Sequence, residues 1–249
     1  MPARPHFDAL PLVEAVYDCF AEPSAVELDA LAKNFFEKFP EYSGTSEAWQ
    51  SVGASIAFRG GEVSAAPAPT QFGVRRWNSN RSRAVLLAPG VLAMNVVPPY
   101  GHLEDHLPHL RDLLAAYIEL ARPRRIAWLG QRYINHVTIE FAERLAPGRL
   151  FTLAPALPEP RALMHPGMTV QIEAARTDAT SALTTLALSA KTTSAAIYTL
   201  DIYGRTSGQV PSSAQDIVDW HLATHEIIID AFLSSITDEA RKRFKERTP

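Results

Sequence analysis

The stretch Trp128-Leu129-Gly130-Gln131-Arg132-Tyr133-Ile134-Asn135 lies inside a long run of strand-forming residues, 125–141. β-branched and aromatic side chains recur through this run, and both are typical of strands. Strands of this length usually bend, so we expect a bulge or bend at Gly130. Alternation along the strand places Arg132 on one face and both Tyr133 and Asn135 on the other.

Working outward, the sequence predicts further strands separated by short turns. They cover residues 12–21, 49–58, 71–77, 83–88, 91–97, 169–176, 182–190 and 196–203. Apolar positions at helical spacing predict a helix that ends at Pro40, a second over residues 104–121 and a last one over 213–245, with a break near Thr237-Asp238. Short turns require antiparallel pairing.

The predicted fold class is therefore α+β, with two halves of antiparallel sheet, each closed by a long helix packed on one face. Arg122-Pro123 interrupts the pattern and gives the predicted boundary between an N-terminal half, 1–122, and a C-terminal half, 123–249. One continuous unit is the alternative.

Composition limits the classes of function. The chain is 47% hydrophobic and 20% charged with a net charge of -3, which is typical of a globular protein without a global basic field. Cys19 is the single cysteine, so no intrachain disulfide forms, and its alternating apolar surroundings favour a core position. The longest apolar run, 84–97, is shorter than the roughly 20 residues of a membrane span. We expect a soluble, cytoplasmic protein.

Four segments resemble the hallmarks of a sporadically distributed bacterial family of uncharacterised function that carries an L-G-x-R-Y-I-N motif. They are Pro11-Leu12-Val13-Glu14-Ala15-Val16, Leu129-Gly130-Gln131-Arg132-Tyr133-Ile134-Asn135, Leu200-Asp201-Ile202 and the late Phe232-Leu233. The resemblance covers most of the chain and implies no catalytic residues. The patchy distribution of the family resembles that of accessory or defence-type genes.

Arg132 and Glu14 form the first candidate site. A carboxylate on the first strand and a guanidinium on a later strand are able to pair across a sheet. Such a pair is read either as a structural ion pair, the favoured interpretation, or as an anion-binding arginine held by Glu14. Tyr133 and Asn135 are further binding candidates in the same motif.

Basic residues beside tryptophans form the second candidate site. Arg75 and Arg76 adjoin Trp77, and Arg124 and Arg125 lie close to Trp128. Arginine beside an aromatic ring suits single-stranded nucleic acid, which offers phosphates and stacking bases. Separate solvated patches are the alternative.

Histidines give weaker candidates. His102, His106 and His109 lie on one face of the second predicted helix, where three imidazoles are able to hold zinc, yet the spacing does not match H-E-x-x-H. His221 and His225 are read as polar positions of an amphipathic helix. No metal is favoured and no cofactor is predicted.

The sequence contains no G-x-S-x-G motif and no P-loop. The sequence therefore predicts a non-catalytic binding or regulatory protein that acts through a protein partner or single-stranded nucleic acid. A homodimer is compatible with this prediction. One alternative is a metal-dependent hydrolase or nuclease that uses a histidine cluster. Another is a small-molecule-binding protein with a cavity between the sheet and the last helix.

The apolar stripe of the last helix generates a test. It should cover the sheet of the C-terminal half, where Ile172, Leu186 and Ile197 otherwise face water. Truncation after Pro211 is expected to give insoluble protein, whereas removal of residues 245–249 is expected to be tolerated. Solubility and cooperative unfolding check both. A folded fragment that ends at Pro211 would instead show that the helix packs on a partner.

Overall fold

The computed structural model describes residues 5–23, 25–51, 54–59, 62–67, 71–155, 165, 167–177 and 179–247. It confirms an α+β fold with antiparallel sheets and a C-terminal helix packed on the sheet.

The described strands and helices follow each other in this order along the chain. The strands are β1 (His6–Phe7), β2 (Leu12–Ala21), β3 (Ser46–Ser51), β4 (Ala54–Arg59), β5 (Glu62–Pro67), β6 (Gln71–Trp77), β7 (Arg83–Ala88), β8 (Val91–Val96), β9 (Ile126–Glu140), β10 (Thr169–Ala175), β11 (Thr180–Lys191), β12 (Ala195–Thr206) and β13 (Glu246–Arg247). The helices are α1 (Leu28–Lys38), α2 (Leu103–Ala121), α3 (Ala214–Ser235) and α4 (Asp238–Arg243).

The chain forms two compact units that are each discontinuous in sequence. The first contains Met1–Tyr17, Gly130–Val210 and Asp219–Pro249, and the second contains Asp18–Leu129 and Pro211–Val218. Both β2 and β9 contribute residues to each unit. The units therefore do not correspond to two consecutive halves of the sequence.

In the first unit the strands lie in the order β10-β11-β12-β9-β2. The register of β9 with β12 runs without a shift from the pair Glu140–Ala195 to the pair Gly130–Arg205. The expected bulge or bend at Gly130 therefore stays a prediction, because the described pairing of β9 with β12 ends at that residue, whereas β11 has a register shift between Leu188 and Ala190. Glycine is needed at position 130 because a Cβ there would lie 2.3 Å from the hydroxyl of Tyr203.

Helix α3 covers one face of this sheet. The helix lies close to β12 at Gly204, where an added Cβ would lie 2.5 Å from Cγ2 of Thr224. Leu186 is fully buried on the covered face, as expected, but Ile172 on β10 remains 47% exposed. Ile197 lies on the opposite face from its buried neighbours Ala196 and Tyr198. The expectation that α3 shields Ile172 and Ile197 is therefore wrong, because Ile172 keeps half of its surface and Ile197 points away.

In the second unit β2, β8, β7, β6 and β3 are neighbours in that order. Pro89-Gly90 joins β7 to β8 as the predicted tight hairpin, with Ala88 opposite Val91. Helix α1 contacts the face that carries Arg76, because the guanidinium of Arg76 lies over the ring of Phe36. Helix α2 packs through a buried stripe that includes Leu110, Leu113 and Tyr117.

Several element boundaries differ from the prediction. The single strand expected over 49–58 is divided into β3 and β4, and β4 pairs with the additional strand β5. The break in the last helix is confirmed: α3 ends at Ser235, and the hydroxyl of Thr237 accepts a hydrogen bond from the Ala240 amide at the start of α4. Within the described residues, no helix combines the length and the apolar character that a membrane crossing requires.

The close approach at Gly204 gives a stability test. Gly204→Ala is expected to lower the free energy of unfolding by about 1–3 kcal/mol, the usual cost of overpacking, because the new methyl group meets Thr224. Thr224→Ser removes Cγ2 and should restore most of the loss in the double variant. Gly148→Ala is the matched control, since nothing lies within 4 Å of its Cβ position. Denaturant unfolding measures all three, and a Gly204→Ala variant as stable as the control would contradict the packing described.

Candidate functional site

Two of the family-like segments are neighbours in the sheet. The register of β9 with β12 pairs residues 132–135 with 200–203. Nε of Arg132 donates to Asp201 at 2.8 Å, and its terminal nitrogen forms a second, shorter bond to the same carboxylate. The forked geometry holds the guanidinium in one orientation.

Arg132 and Glu14 share the face of the sheet that α3 does not cover. Tyr17 and Tyr133 are hydrogen-bonded on the covered face, so alternation along β2 and β9 places Glu14 and Arg132 on the other. The Arg132 fork binds the carboxylate of Asp201, and the expected pairing with Glu14 stays a prediction. The Arg132 side chain is 45% exposed, and pairs of this exposure usually contribute about 0–1 kcal/mol.

The inward residues of the motif are buried. The side-chain amide of Asn135 donates to the Leu200 carbonyl at 3.0 Å and so adds a side-chain bond between β9 and β12. The Tyr133 hydroxyl accepts from Nε2 of Gln131 at 3.1 Å and lies 2.7 Å from Nδ1 of His225. Asn135 and Tyr133 therefore hold neighbouring elements together.

A buried polar network connects β2, β9 and α3 through the Tyr133 hydroxyl. Oε1 of Gln131 lies 3.4 Å from Nδ1 of His221, while the rings of His221 and Tyr17 meet edge to face at 5.5 Å. Burial raises the pKa of Tyr17 to about 12, although its hydrogen bond to Tyr133 opposes that shift. The Tyr17 phenol therefore stays neutral near pH 7.

His221 is the most perturbed group of this network. Its side chain is 1% exposed, and burial lowers its pKa to about 3. Its Nε2 and the Oγ1 of Thr224 one helical turn later have no hydrogen-bond partner among the described protein atoms. An imidazole in this environment is neutral at physiological pH, because the charged form would lose its hydration.

The sequence predicted Tyr133 as a binding candidate, but it did not predict the roles of Gln131 and His221 in this network. His221 was interpreted as a polar position of an amphipathic helix, but it lies in the buried stripe between Trp220 and Thr224. Its spacing from Ile217 and Ile228, four and seven residues, was the available signal. For Gln131 the available signal was weaker: its amide lies on the same face of β9 as Tyr133.

The first basic cluster is divided between two faces. Arg75 and Trp77 share the outward face of β6, where Glu47 of β3 accepts hydrogen bonds from Nε of Arg75 at 2.8 Å and Nε1 of Trp77 at 3.2 Å. The guanidinium groups of Arg75 and Arg81 lie 5.6 and 5.1 Å from the Trp77 ring centroid. Arg76 points to the opposite face, toward α1. We name the four outward residues, Glu47, Arg75, Trp77 and Arg81, the Trp77 cluster.

Two features orient the Trp77 cluster. Arg81 has a backbone φ of 55°, a left-handed conformation that is uncommon for a residue other than glycine. The Glu47 carboxylate, whose pKa is lowered chiefly by its hydrogen bond to Arg75, fixes both Arg75 and the indole. In the other predicted basic group Arg125 pairs with Glu22, and Arg124 is exposed beside it.

The three histidines of α2 have separate roles. His102 is the N-cap residue of α2, and its backbone N–H donates to the Asp105 carboxylate at 3.0 Å. Nε2 of His109 lies 2.7 Å from the Tyr42 hydroxyl. His106 is half-buried, and desolvation lowers its pKa. Across the described ranges no three His, Cys, Asp or Glu side chains come together in an arrangement that would hold a metal ion. These histidines therefore do not form a ligand set.

Cys19 is buried as predicted, and burial raises the pKa of its thiol to about 12, which leaves it unreactive. Comparison with models of known families, with curated proteins and with solved structures finds no match.

Burial of neutral His221 makes stability depend on pH. In the unfolded chain its imidazole titrates near pH 6.5, whereas in the folded chain it does so at about 3. Below pH 6.5 the unfolded state therefore binds a proton that the folded state lacks, and stability should fall by up to about 1.4 kcal/mol per pH unit from this residue. Urea unfolding at several pH values measures that slope.

His221→Gln should give a shallower slope than the wild-type chain. The exposed His136 provides the matched control, and His136→Gln is expected to keep the wild-type slope. Equal slopes for the His221 variant and the wild type would show that His221 is not held neutral in the folded state.

Proposed function

We propose that this chain is a binding protein for single-stranded nucleic acid and that the Trp77 cluster is its contact surface. The observation that carries the proposal is an indole fixed in place by Glu47 with two guanidinium groups within 5.6 Å of its centroid. Single-stranded nucleic acids are bound by aromatic rings that stack with bases and by arginines that pair with phosphates.

The charges favour Arg81 as the principal phosphate contact. Its side chain is 61% exposed, and its guanidinium is 4.0 Å from the Glu47 carboxylate, while Arg75 is 2.8 Å away through Nε and is largely neutralised by it. A phosphate therefore meets Arg81 first. Bases are able to stack on the indole or on the guanidinium planes beside it.

The net charge of the chain leads us to expect weak binding. The chain carries a net charge of -3, so no long-range field attracts a polyanion. Specific local contacts must then supply the affinity, and binding should be sensitive to the removal of any one of them.

Fluorescence anisotropy with a labelled single-stranded oligonucleotide of ~20 nucleotides tests the proposal. Trp77→Ala should weaken binding about tenfold, because one stacking contact contributes about 1–3 kcal/mol. Arg81→Ala should weaken binding and reduce the salt slope by about 0.7, the value of one phosphate contact on a single strand.

Glu47→Gln should have the opposite effect. Glutamine removes the negative charge, and its single amide oxygen still accepts from one of the two donors, Arg75 or Trp77. Binding should therefore tighten and the salt slope should become steeper. Arg111→Ala is the control: it removes a cation that is paired with Asp112 on the surface of α2 and should leave affinity nearly unchanged.

Wild-type protein that binds no oligonucleotide at low ionic strength would remove the proposal and leave the protein-partner alternative. Equal losses in the Arg81→Ala and Arg111→Ala variants would show a non-specific charge effect instead. Thermal unfolding of each variant checks that the fold is retained.

A further inference from the structure

A depression of about 410 Å³ lies on the second unit between α1 and the strands β3 and β6. Its apolar lining comes from Ala32, Phe36 and Val74. Its polar lining comes from Asp29, Lys33, Glu37, Ser46 and Arg76. The volume falls in the range of small-molecule sites, which span about 300–1,000 Å³.

Arg76 is the unusual member of this lining. Its guanidinium lies 4.4 Å from the centroid of the Phe36 ring, and its enclosed Nε has no hydrogen-bond partner among the described residues. Its neighbour Arg75, on the other face of β6, donates to Glu47. A guanidinium has five donors, and because the enclosed Nε is out of reach of solvent, a ligand oxygen in the depression would pair with the terminal nitrogens of Arg76.

The other charges of the depression are mixed. Asp29, Lys33 and Glu37 are four residues apart on α1 and therefore share one side of the helix. The site thus offers two cations, Lys33 and Arg76, and two carboxylates. A phosphate would be attracted by the cations but repelled by both carboxylates, whereas a ligand with one positive and one negative group satisfies both kinds of charge.

We propose that this depression binds a small amphoteric ligand of the amino-acid class. Arg76 holds the ligand carboxylate through its planar fork, a geometry that guanidinium and carboxylate groups share. Asp29 and Glu37 accept the ligand ammonium. Phe36, Ala32 and Val74 contact an apolar side chain.

This site is independent of the Trp77 cluster, because Arg75 and Arg76 lie on opposite faces of β6. Variants of one face therefore leave the other face in place. Failure of nucleic-acid binding has no consequence for the amphoteric ligand.

Isothermal titration calorimetry with phenylalanine, 3-phenylpropionate, phenethylamine and inorganic phosphate tests the proposal. Phenylalanine should bind, and each analogue that lacks one charged group should bind at least about tenfold more weakly, the loss expected for one charge-assisted contact. Arg76→Ala should make the affinities for phenylalanine and phenethylamine equal. Arg76→Lys keeps the charge but loses the planar fork, so its affinity for phenylalanine should lie between those of the wild type and the Arg76→Ala variant.

Lys33→Ala and Glu37→Gln change exposed helix residues and should fold normally. Both are expected to weaken phenylalanine binding, while the control Arg111→Ala, on the surface of α2, keeps the wild-type affinity. The proposal is overturned if leucine, tryptophan and phenylalanine all fail to bind at millimolar concentration. It is also overturned if phosphate or 3-phenylpropionate binds as tightly as phenylalanine, which would indicate a simple anion site.

Discussion

The first unit depends on the contact between α3 and β12 at Gly204. An added methyl group there would lie 2.5 Å from Cγ2 of Thr224, so the helix packs against the strand without room for a side chain at position 204. This proximity buries His221 and Thr224 and brings His221 within hydrogen-bonding distance of Gln131. A larger residue at position 204 would separate the polar groups of α3 from those of β9.

Close packing explains why the polar groups are arranged as a network. Buried hydroxyl, amide and imidazole groups are unfavourable unless they bond to each other. Tyr133 meets this requirement for three elements at once, because its hydroxyl contacts Gln131, Tyr17 and His225. These hydrogen bonds form only when α3 has one particular position on the sheet, so the network also specifies how α3 packs.

The second unit shows how one strand presents two different surfaces. Arg75 and Arg76 are adjacent in sequence, yet one is held by Glu47 beside Trp77 and the other lies against Phe36. We propose a different kind of ligand for each surface: a polyanion for the outward indole and guanidinium groups, and a small amphoteric molecule for the mixed charges near α1.

The sequence by itself determined the local elements and their faces. Period-2 burial along β9 follows from its alternating side chains, and the helical stripe of α2 follows from leucines at steps of three and four. The same alternation already separated Arg132 from Tyr133. Only the tertiary structure decided the partners: Asp201 for Arg132, Glu47 for Arg75 and His225 for Tyr133. Those pairings join residues 28 to 92 positions apart, and they depend on register and helix placement, which no local pattern encodes.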